Sequence, residues 1–270
     1  LAMPAYVMAF VYVALLDFTG PLQTGLRELA GGPVAFPPIR SAGGVIMVMS
    51  LALYPYVYLL ARNAFLTQGR RALEAAQSLG YSRKAGFFKV ALPLARPWIM
   101  AGLMLALMET LADFGTVAVF NYDTFTTAIY KTWFGLFSLQ GASQLASILI
   151  LLAFALIAAE QVSRRGLRFT QAGRHTRMER IALSGSSAWL ASGFAALVLL
   201  VAFVIPLVQL LIWAEKVVAQ DFDARYLDFL WHSLLLGGLA AALIVAAALV
   251  LTYAQRRHDD VWARTMARIA

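Results

Sequence analysis

Residues 230–253, LWHSLLLGGLAAALIVAAALVLTY, contain no Asp, Glu, Lys or Arg. An α-helix rises about 1.5 Å per residue, so about 20 apolar residues cross the roughly 30 Å hydrocarbon core of a bilayer. The stretch is long enough for this, and it lacks the alternation of apolar and polar residues that a barrel strand requires. It therefore predicts a membrane-spanning helix.

Five other segments come near the same length and apolarity, which gives six predicted spans. They cover residues 1–16, 43–60, 98–112, 142–159, 188–213 and 230–253. Overall, 61% of the 270 residues are hydrophobic and 13% are charged, against about 45–50% and 25% in a soluble domain. This composition disfavours a soluble globule, and the predicted fold is an all-α polytopic transmembrane helical bundle surrounded by membrane lipid.

The basic residues predict the orientation of these spans. The net charge is +8, and most of the 22 Lys and Arg residues lie between spans two and three, between spans four and five, and in the tail. Lys and Arg accumulate on the cytoplasmic side of membrane proteins, so these three regions are predicted to be cytoplasmic. The charge is thus explained by topology, and no nucleic-acid partner is expected.

Several kinds of functional site are excluded or unsupported. The chain has no cysteine, which rules out disulfides, thiolate nucleophiles and Cys-based metal sites. No Gly-Lys pair occurs, so a phosphate-binding loop for ATP is not expected. His175, His232 and His258 lack the close spacing of metal ligands. Ferric-phenolate ligation is one hypothesis for four tyrosines, but packing and interfacial roles are commoner for this residue type. The four are Tyr6, Tyr12, Tyr122 and Tyr130.

Two regions differ from a plain bundle of spans. Residues 163–187 are rich in Arg and Gly with little apolar periodicity, which predicts a linker that divides the chain near residue 175. Residues 113–141 are rich in aromatic residues and Thr, and we expect them at the outer membrane interface, where aromatic rings are favoured.

The cytoplasmic loop after the second span reads EAAQSLGYSRKAGFFKVALP over residues 74–93. A helix over about 65–79 is predicted to stop at Gly80, because glycine tolerates the left-handed C-cap conformation. Ser82 is predicted to cap a second helix, which is expected to end around Pro93 and Pro97 because proline disrupts a helix interior. The product is a compact helix–turn–helix suited to docking on a partner.

This loop resembles the EAA loop of the membrane permeases of binding-protein-dependent ABC importers. The pattern is Glu-Ala-Ala, three residues, Gly, nine residues, an aliphatic residue, one residue and Leu-Pro. Its fixed positions are met by Glu74, Ala75, Ala76, Gly80, Val90, Leu92 and Pro93. In that family the loop is the coupling helix that sits in a groove of the cytoplasmic ATPase, so the resemblance implies this role for these residues.

The resemblance extends to the ferric-iron permeases that fuse two permease halves. It is carried by LYPYVYLLAR at 53–62, DFGTV at 113–117, FTTAIY at 125–130 and WFG at 133–135. The resemblance implies a MetI-like permease core. Residues 1–162 would be the later part of the first half, with the coupling loop at 62–97. Residues 163–187 would be a basic cytoplasmic linker, and residues 188–270 the incomplete start of the second half.

The resemblance implies a permease subunit of the bacterial inner membrane that imports ferric iron delivered by a periplasmic binding protein. ATP would be bound by a dimer of cytoplasmic ABC ATPase subunits, so no catalytic residue and no cofactor are expected in this chain. Thiamine, polyamine, sulfate and molybdate permeases share the EAA loop and stay open as alternatives for the cargo. An ion-coupled secondary transporter and a structural membrane anchor are further alternatives.

Glu109 and Asp113 form the one close acidic pair near the membrane interior. They are four residues apart on the third span and therefore share a helix face. Ionisable groups at membrane depth are costly and usually face a cavity or a partner, so the pair is a candidate lining of the permeation path. The alternative is that both carboxylates lie at the outer interface, solvated or hydrogen-bonded to neighbouring helices.

Overall fold

The computed structural model describes residues 3–164, 183–221, 223 and 225–257. All regular secondary structure in these ranges is helical, which confirms the all-α prediction. The α-helices are α1 Ala5–Leu16, α2 Pro21–Ala30, α3 Ala42–Ala64, α4 Arg70–Ser78, α5 Arg83–Gly86, α6 Leu92–Ala112, α7 Gly115–Val119, α8 Phe125–Tyr130, α9 Leu139–Arg164, α10 Ser186–Leu199, α11 Ile205–Asp221 and α12 Arg225–Arg257. Four π turns join some of them: Phe65–Gly69, Phe87–Ala91, Lys131–Gly135 and Leu200–Val204.

Six helical segments in the described ranges are long and apolar enough to cross a membrane, and they confirm the six predicted spans. They are Ala5–Ala30, Ala42–Thr67, Arg83–Ala112, Leu139–Ala159, Ser186–Val218 and Arg225–Val250. The third of these helices begins well before residue 98, where the predicted span starts. The chain is therefore a multi-pass membrane protein.

The expectation that the second loop helix ends around Pro93 and Pro97 is wrong. Helical backbone continues from Arg83 through both prolines to Ala112. In the π turn Phe87–Ala91, the N–H of Leu92 donates to the carbonyl of Phe87, five residues back. Because the hydrogen-bond ladder has already shifted there, the missing N–H of Pro93 removes no regular α-helical bond. Pro97 is buried inside α6, and membrane helices tolerate such prolines through neighbouring groups.

The core lies where α1, α3 and α7 meet. The fully buried side chains there include Met8, Val48, Val117 and Phe120. Gly44 permits the close approach, because a Cβ at this position would lie 1.9 Å from the carbonyl oxygen of Ile39 and 2.9 Å from the ring of Phe120. Small residues let membrane helices approach in this way.

Helices α3 and α6 run antiparallel as a hairpin, with the loop of residues 65–91 at one end. They cross closely at Gly102, where a Cβ would lie 2.7 Å from the Cα of Val57. We call the loop end of this hairpin inner and the opposite end outer, following the predicted orientation. The hairpin positions both parts of the candidate site described below.

The chain divides into two compact units, Leu1–Leu210 and Leu211–Ala270. The first holds α1 to α10, the π turn Leu200–Val204 and the start of α11. In the second, α12 is a single helix of 33 residues. Most of the predicted linker, residues 165–182, lies outside the described residues, as does the end of the basic tail, residues 258–270.

Candidate functional site

The turn at Gly80 ends α4 as the sequence predicts. Gly80 has φ +87°, a conformation that side chains with a Cβ rarely adopt. Its N–H donates to the carbonyl of Gln77 at 3.0 Å, and the N–H of Tyr81 donates to the carbonyl of Ala76 at 3.0 Å. These two bonds form a Schellman motif, which satisfies carbonyls that the end of a helix leaves unpaired.

The second half of the elbow, a name we use for residues 70–86, begins at Ser82. The Ser82 hydroxyl accepts a hydrogen bond from the N–H of Ala85 at 3.3 Å, so the predicted cap is confirmed. Gly86 then packs on α4: a Cβ there would lie 3.0 Å from Leu73 Cδ1 and 3.3 Å from Ala76 Cβ. Ala76 is buried at this contact with Gly86, which explains why position 76 of the loop requires a small residue.

The elbow and the π turn that follows it, Phe87–Ala91, expose a mixed apolar and basic surface. Leu79 and Phe88 are 79% and 65% exposed, although both are large apolar residues. Lys89 Nζ lies 5.7 Å from the centre of the Tyr81 ring, within reach of a cation–π interaction. Of the predicted coupling residues, Ala76 is buried, Val90 and Leu92 are half-buried, and the exposed ones are Glu74, Ala75, Gly80 and Pro93.

Both ends of the elbow continue into membrane-spanning helices. The π turn Phe65–Gly69 joins α3 to α4, and the π turn Phe87–Ala91 joins α5 to α6. The rings of Phe65 and Phe87 stack with their centres 5.7 Å apart, so one π turn contacts the other. The helix predicted over 65–79 is thus present, but it is a direct continuation of α3.

A groove of about 680 Å³ lies between α3 and α6, and we call it the α3–α6 groove. Val117, Tyr122 and Thr124 border it at its outer end. The residues that line it on the two helices are Val45, Ile46, Met49, Ser50, Leu53, Tyr54, Val57, Tyr58, Leu103, Ala106, Leu107 and Thr110. The lining is apolar except for hydroxyl groups, and it includes no charged side chain from the described part of the chain.

The predicted acidic pair lies next to this groove. Thr110 lines the groove, whereas the neighbouring Glu109 is exposed and is not among the lining residues. Asp113 follows the last residue of α6, and its carboxylate accepts hydrogen bonds from Thr116 Oγ1 at 2.9 Å and from the N–H of Val117 at 3.2 Å. Asp113 therefore caps α7, while a role for either carboxylate in permeation stays a prediction.

An ion pair missed by the sequence analysis ties three elements together at the outer end. Arg40 Nε lies 2.9 Å from Asp17 Oδ2, and Arg40 Nη1 donates to the carbonyl of Val119 at 2.8 Å. Asp17 follows α1, Arg40 precedes α3, and Val119 ends α7. The sequence shows only that Asp17 and Arg40 carry opposite charges within one predicted outer loop. Residues this far apart in sequence cannot be paired without knowledge of the fold.

The aromatic stretch 113–141 forms short helices at the outer end. The carbonyl of Asp113 accepts a hydrogen bond from Thr126 Oγ1 at 2.7 Å, which holds α8 beside the end of α6. The rings of Tyr130 and Phe134 lie 4.8 Å apart, and both are about half exposed. Exposed aromatic rings suit a membrane interface, and the location of this stretch stays a prediction.

The described residues contain no group of three or more His, Cys, Asp or Glu side chains that could hold a metal ion. His232 lies on α12, and His175 and His258 are outside the described residues. Tyr12 is buried, and its hydroxyl donates to the carbonyl of Val201, which is the packing role weighed above.

Comparison with known proteins decides the family. The model of the family described as "Binding-protein-dependent transport system inner membrane component" matches residues 1–165, more than half of the chain. The chain belongs to this family. The match includes the elbow, the α3–α6 groove and the outer helices, so this permease carries its candidate site within the family core.

Three relatives show which cargoes are named for proteins similar to this chain. The Fe(3+)-transport system permease protein FbpB 2 of Haemophilus influenzae is 27% identical over 80% of this chain and 44% of its own length. A probable molybdenum ABC transporter permease of Haloferax volcanii is 30% identical over 50% of this chain and 49% of its own length. The molybdenum transport system permease ModB of Haemophilus influenzae is 26% identical over 61% of this chain and 73% of its own length.

The chain spans less than half the length of the first two of these relatives. No solved structure matches it.

Proposed function

We propose that this permease forms part of the translocation unit of an ATP-driven importer for ferric iron in a bacterial inner membrane. In this proposal a periplasmic binding protein delivers the iron, and a dimer of cytoplasmic ABC ATPase subunits binds and hydrolyses ATP. No cofactor is assigned to this chain itself. The observation that carries the proposal is the loop over residues 74–93, whose sequence meets the EAA pattern and whose elbow part forms a capped helix–turn–helix.

The elbow is well built to transmit movement. Its two short helices continue into α3 and α6 without a break in helical backbone, and the Phe65–Phe87 stack joins the two connections. A displacement of the elbow by the ATPase subunits would therefore move α3 and α6 together. Because the same two helices line the α3–α6 groove, closure of the ATPase dimer would shift the groove relative to Val117, Tyr122 and Thr124 at its outer end.

The choice of ferric iron rests on the relatives. The iron permease aligns with 80% of the chain, whereas the two molybdenum permeases align with 50% and 61%. Among the described residues that line the α3–α6 groove, none carries a fixed charge that would select a cation or an oxyanion. Molybdate is accordingly the second candidate cargo, because molybdenum permeases are among the relatives.

The test is transport by the complete transporter that contains this chain, reconstituted in vesicles with its binding protein and its ATPase subunits. We expect ATP-dependent uptake of radioactive ferric iron that stops when the ATPase subunits carry an inactivating substitution. Uptake of radioactive molybdate in place of iron would overturn the cargo. Uptake that continues with the inactive ATPase and follows an ion gradient would overturn the ATP-driven mechanism and favour a secondary transporter.

A further inference from the structure

A hydrogen bond inside the first compact unit joins the two predicted permease modules. Tyr12 belongs to α1 in the first module, and Val201 belongs to the π turn Leu200–Val204 in the second. The Tyr12 hydroxyl donates to the carbonyl of Val201. Tyr12 is 5% exposed and Val201 is half-buried, so this bond is partly shielded from solvent.

The carbonyl of Val201 needs a partner from outside its own helix. In the π turn, the N–H of Ile205 donates to the carbonyl of Leu200, five residues back. In the same register, the carbonyl of Val201 would accept from the N–H of residue 206, but Pro206 has none. The order of π turn and proline therefore leaves this carbonyl without its helical donor.

Among the described residues of the core that Val201 packs against, Tyr12 is the only one with a side-chain donor. Val201 packs against the apolar core that includes Met8, Ala9 and Val48, and the adjacent Ala202 and Pro206 are buried. A backbone carbonyl without a partner in such surroundings costs free energy. Tyrosine suits the position because its ring packs in the core while its hydroxyl reaches the helix opposite.

We propose that the Tyr12 hydroxyl and the Val201 carbonyl form a docking contact that seats the first helix of the second module, α10 to α11, on the α1–α3 face of the first. The interaction surface on the first module is the core around Tyr12. Its partner is the helix in which the π turn and Pro206 leave the Val201 carbonyl without a helical N–H donor. The contact holds the two modules together within the membrane, so the linker is needed to connect them but not to keep them associated.

The experiment cuts the linker in the complete transporter. A protease recognition sequence is inserted after residue 175, the protein is purified through a tag on the N-terminal side, and it is cleaved in mild detergent. The quantity measured is the fraction of the second module that stays bound as sodium dodecyl sulfate is added. We expect the wild-type modules to stay associated after cleavage, and Tyr12→Phe to raise their dissociation constant about 3- to 10-fold.

Pro206→Ala supplies the decisive control. Alanine restores an N–H at residue 206, so Val201 gains a helical donor whether the turn stays π or relaxes to α. Adding Tyr12→Phe to Pro206→Ala should then leave the dissociation constant unchanged. Tyr6→Phe, on the exposed side of α1, should behave as wild type. Equal effects of Tyr12→Phe in both backgrounds, or no effect in either, would overturn the proposal.

Cross-linking gives a second measurement that does not depend on Pro206. Replacement of Tyr12 by p-azidophenylalanine keeps the ring, and illumination of the uncleaved transporter should join it to the peptide that contains Val201. Cross-links confined to peptides outside residues 186–210 would contradict the contact.

Discussion

The inner and outer ends of the α3–α6 hairpin are built in different ways. At the inner end, both helices continue into the elbow through π turns, with no break in helical backbone. At the outer end, α6 stops at Ala112, and the short helices α7 and α8 are held by side-chain hydrogen bonds and by the Arg40–Asp17 ion pair. One end is continuous backbone, whereas at the other end α7 packs into the core through Val117 and Phe120 and separate polar contacts tie the short helices to their neighbours.

This difference bears on how movement would pass through the permease. A helix transmits a displacement along its axis because each residue is bonded to its neighbours one turn away. Side-chain hydrogen bonds contribute about 0.5–1.5 kcal/mol each and exchange readily with water. We therefore expect the helices to transmit a force from the elbow to the outer end. The side-chain hydrogen bonds and the ion pair there should break before the helical backbone does.

The largest expected effect comes from Gly80→Val, which tests the inner end. A β-branched residue at φ +87° is strained by about 1–2 kcal/mol or more, and the Schellman motif that shapes the elbow should be lost. We expect co-purification of the ATPase subunits and ATP-dependent iron uptake to fall about tenfold or more.

Gly31→Val is the matched control, because Gly31 has φ +66°, also ends a helix and lies in the outer loop. Its backbone strain is similar, but ATPase association should be unchanged. If Gly80→Val retains the ATPase, or if both variants lose it equally, the elbow does not have the assigned role.

Phe87→Leu tests whether the two π turns move together. The substitution keeps an apolar side chain but removes the stack on Phe65, a type of contact worth about 0.5–1.5 kcal/mol. We expect iron transported per ATP hydrolysed to fall about 2- to 10-fold, with ATPase association preserved. Phe65→Leu removes the same stack, whereas Phe87→Leu also removes the edge contact between Phe87 and Phe88, so the double variant should add little to Phe87→Leu alone. Additive losses would show that the rings act separately.

Arg40→Gln tests the outer end. It removes the ion pair with Asp17 and the bond to the Val119 carbonyl, so α7 should loosen. Because the chain has no cysteine, Val117→Cys can report this: Val117 is 2% exposed and should react slowly with a maleimide. We expect Arg40→Gln to speed labelling about threefold, in line with about 0.5–1 kcal/mol for a partly exposed pair.

Arg27→Gln serves as the control for this measurement. Arg27 also lies at the outer end, where it contacts the Phe18 ring and carbonyl, but its described contacts do not include α7. Equal labelling rates in the two Arg variants would remove Arg40 from the contacts that hold α7.

Helix caps and turns formed by residues close in sequence could be predicted. Hydrogen bonds and ion pairs that depend on how the helices pack and shift could not. Gly80 and Ser82 were placed correctly because a cap is decided by a few adjacent residues. The continuation of the helix through Pro93 was missed because the π turn before it depends on how the hydrogen-bond ladder shifts, which residue types do not show. The Arg40–Asp17 pair requires two distant segments to meet.

The acidic pair shows the same limit within the site. Spacing predicts that Glu109 and Asp113 share a face of the third span, but α6 ends at Ala112 and the backbone of Asp113 is extended, so the two residues do not lie on one helix. In the structure, Thr110 lines the groove and Asp113 caps α7. Helical periodicity predicts which residues share a face, whereas packing decides what that face meets.

The smallest effects are expected at this pair, and they separate capping from permeation. Asp113→Asn keeps one carbonyl oxygen but loses an acceptor, so the cap of α7 should weaken by about 1 kcal/mol, measured as a lower free energy of unfolding. Glu109→Gln should change the free energy of unfolding by less than about 0.5 kcal/mol, because its side chain is exposed. If a permeating cation meets Glu109, uptake should nevertheless fall with the lost charge. Unchanged iron uptake by Glu109→Gln would remove this carboxylate from the permeation path, since a carboxylate that attracts cations cannot lose its charge without effect.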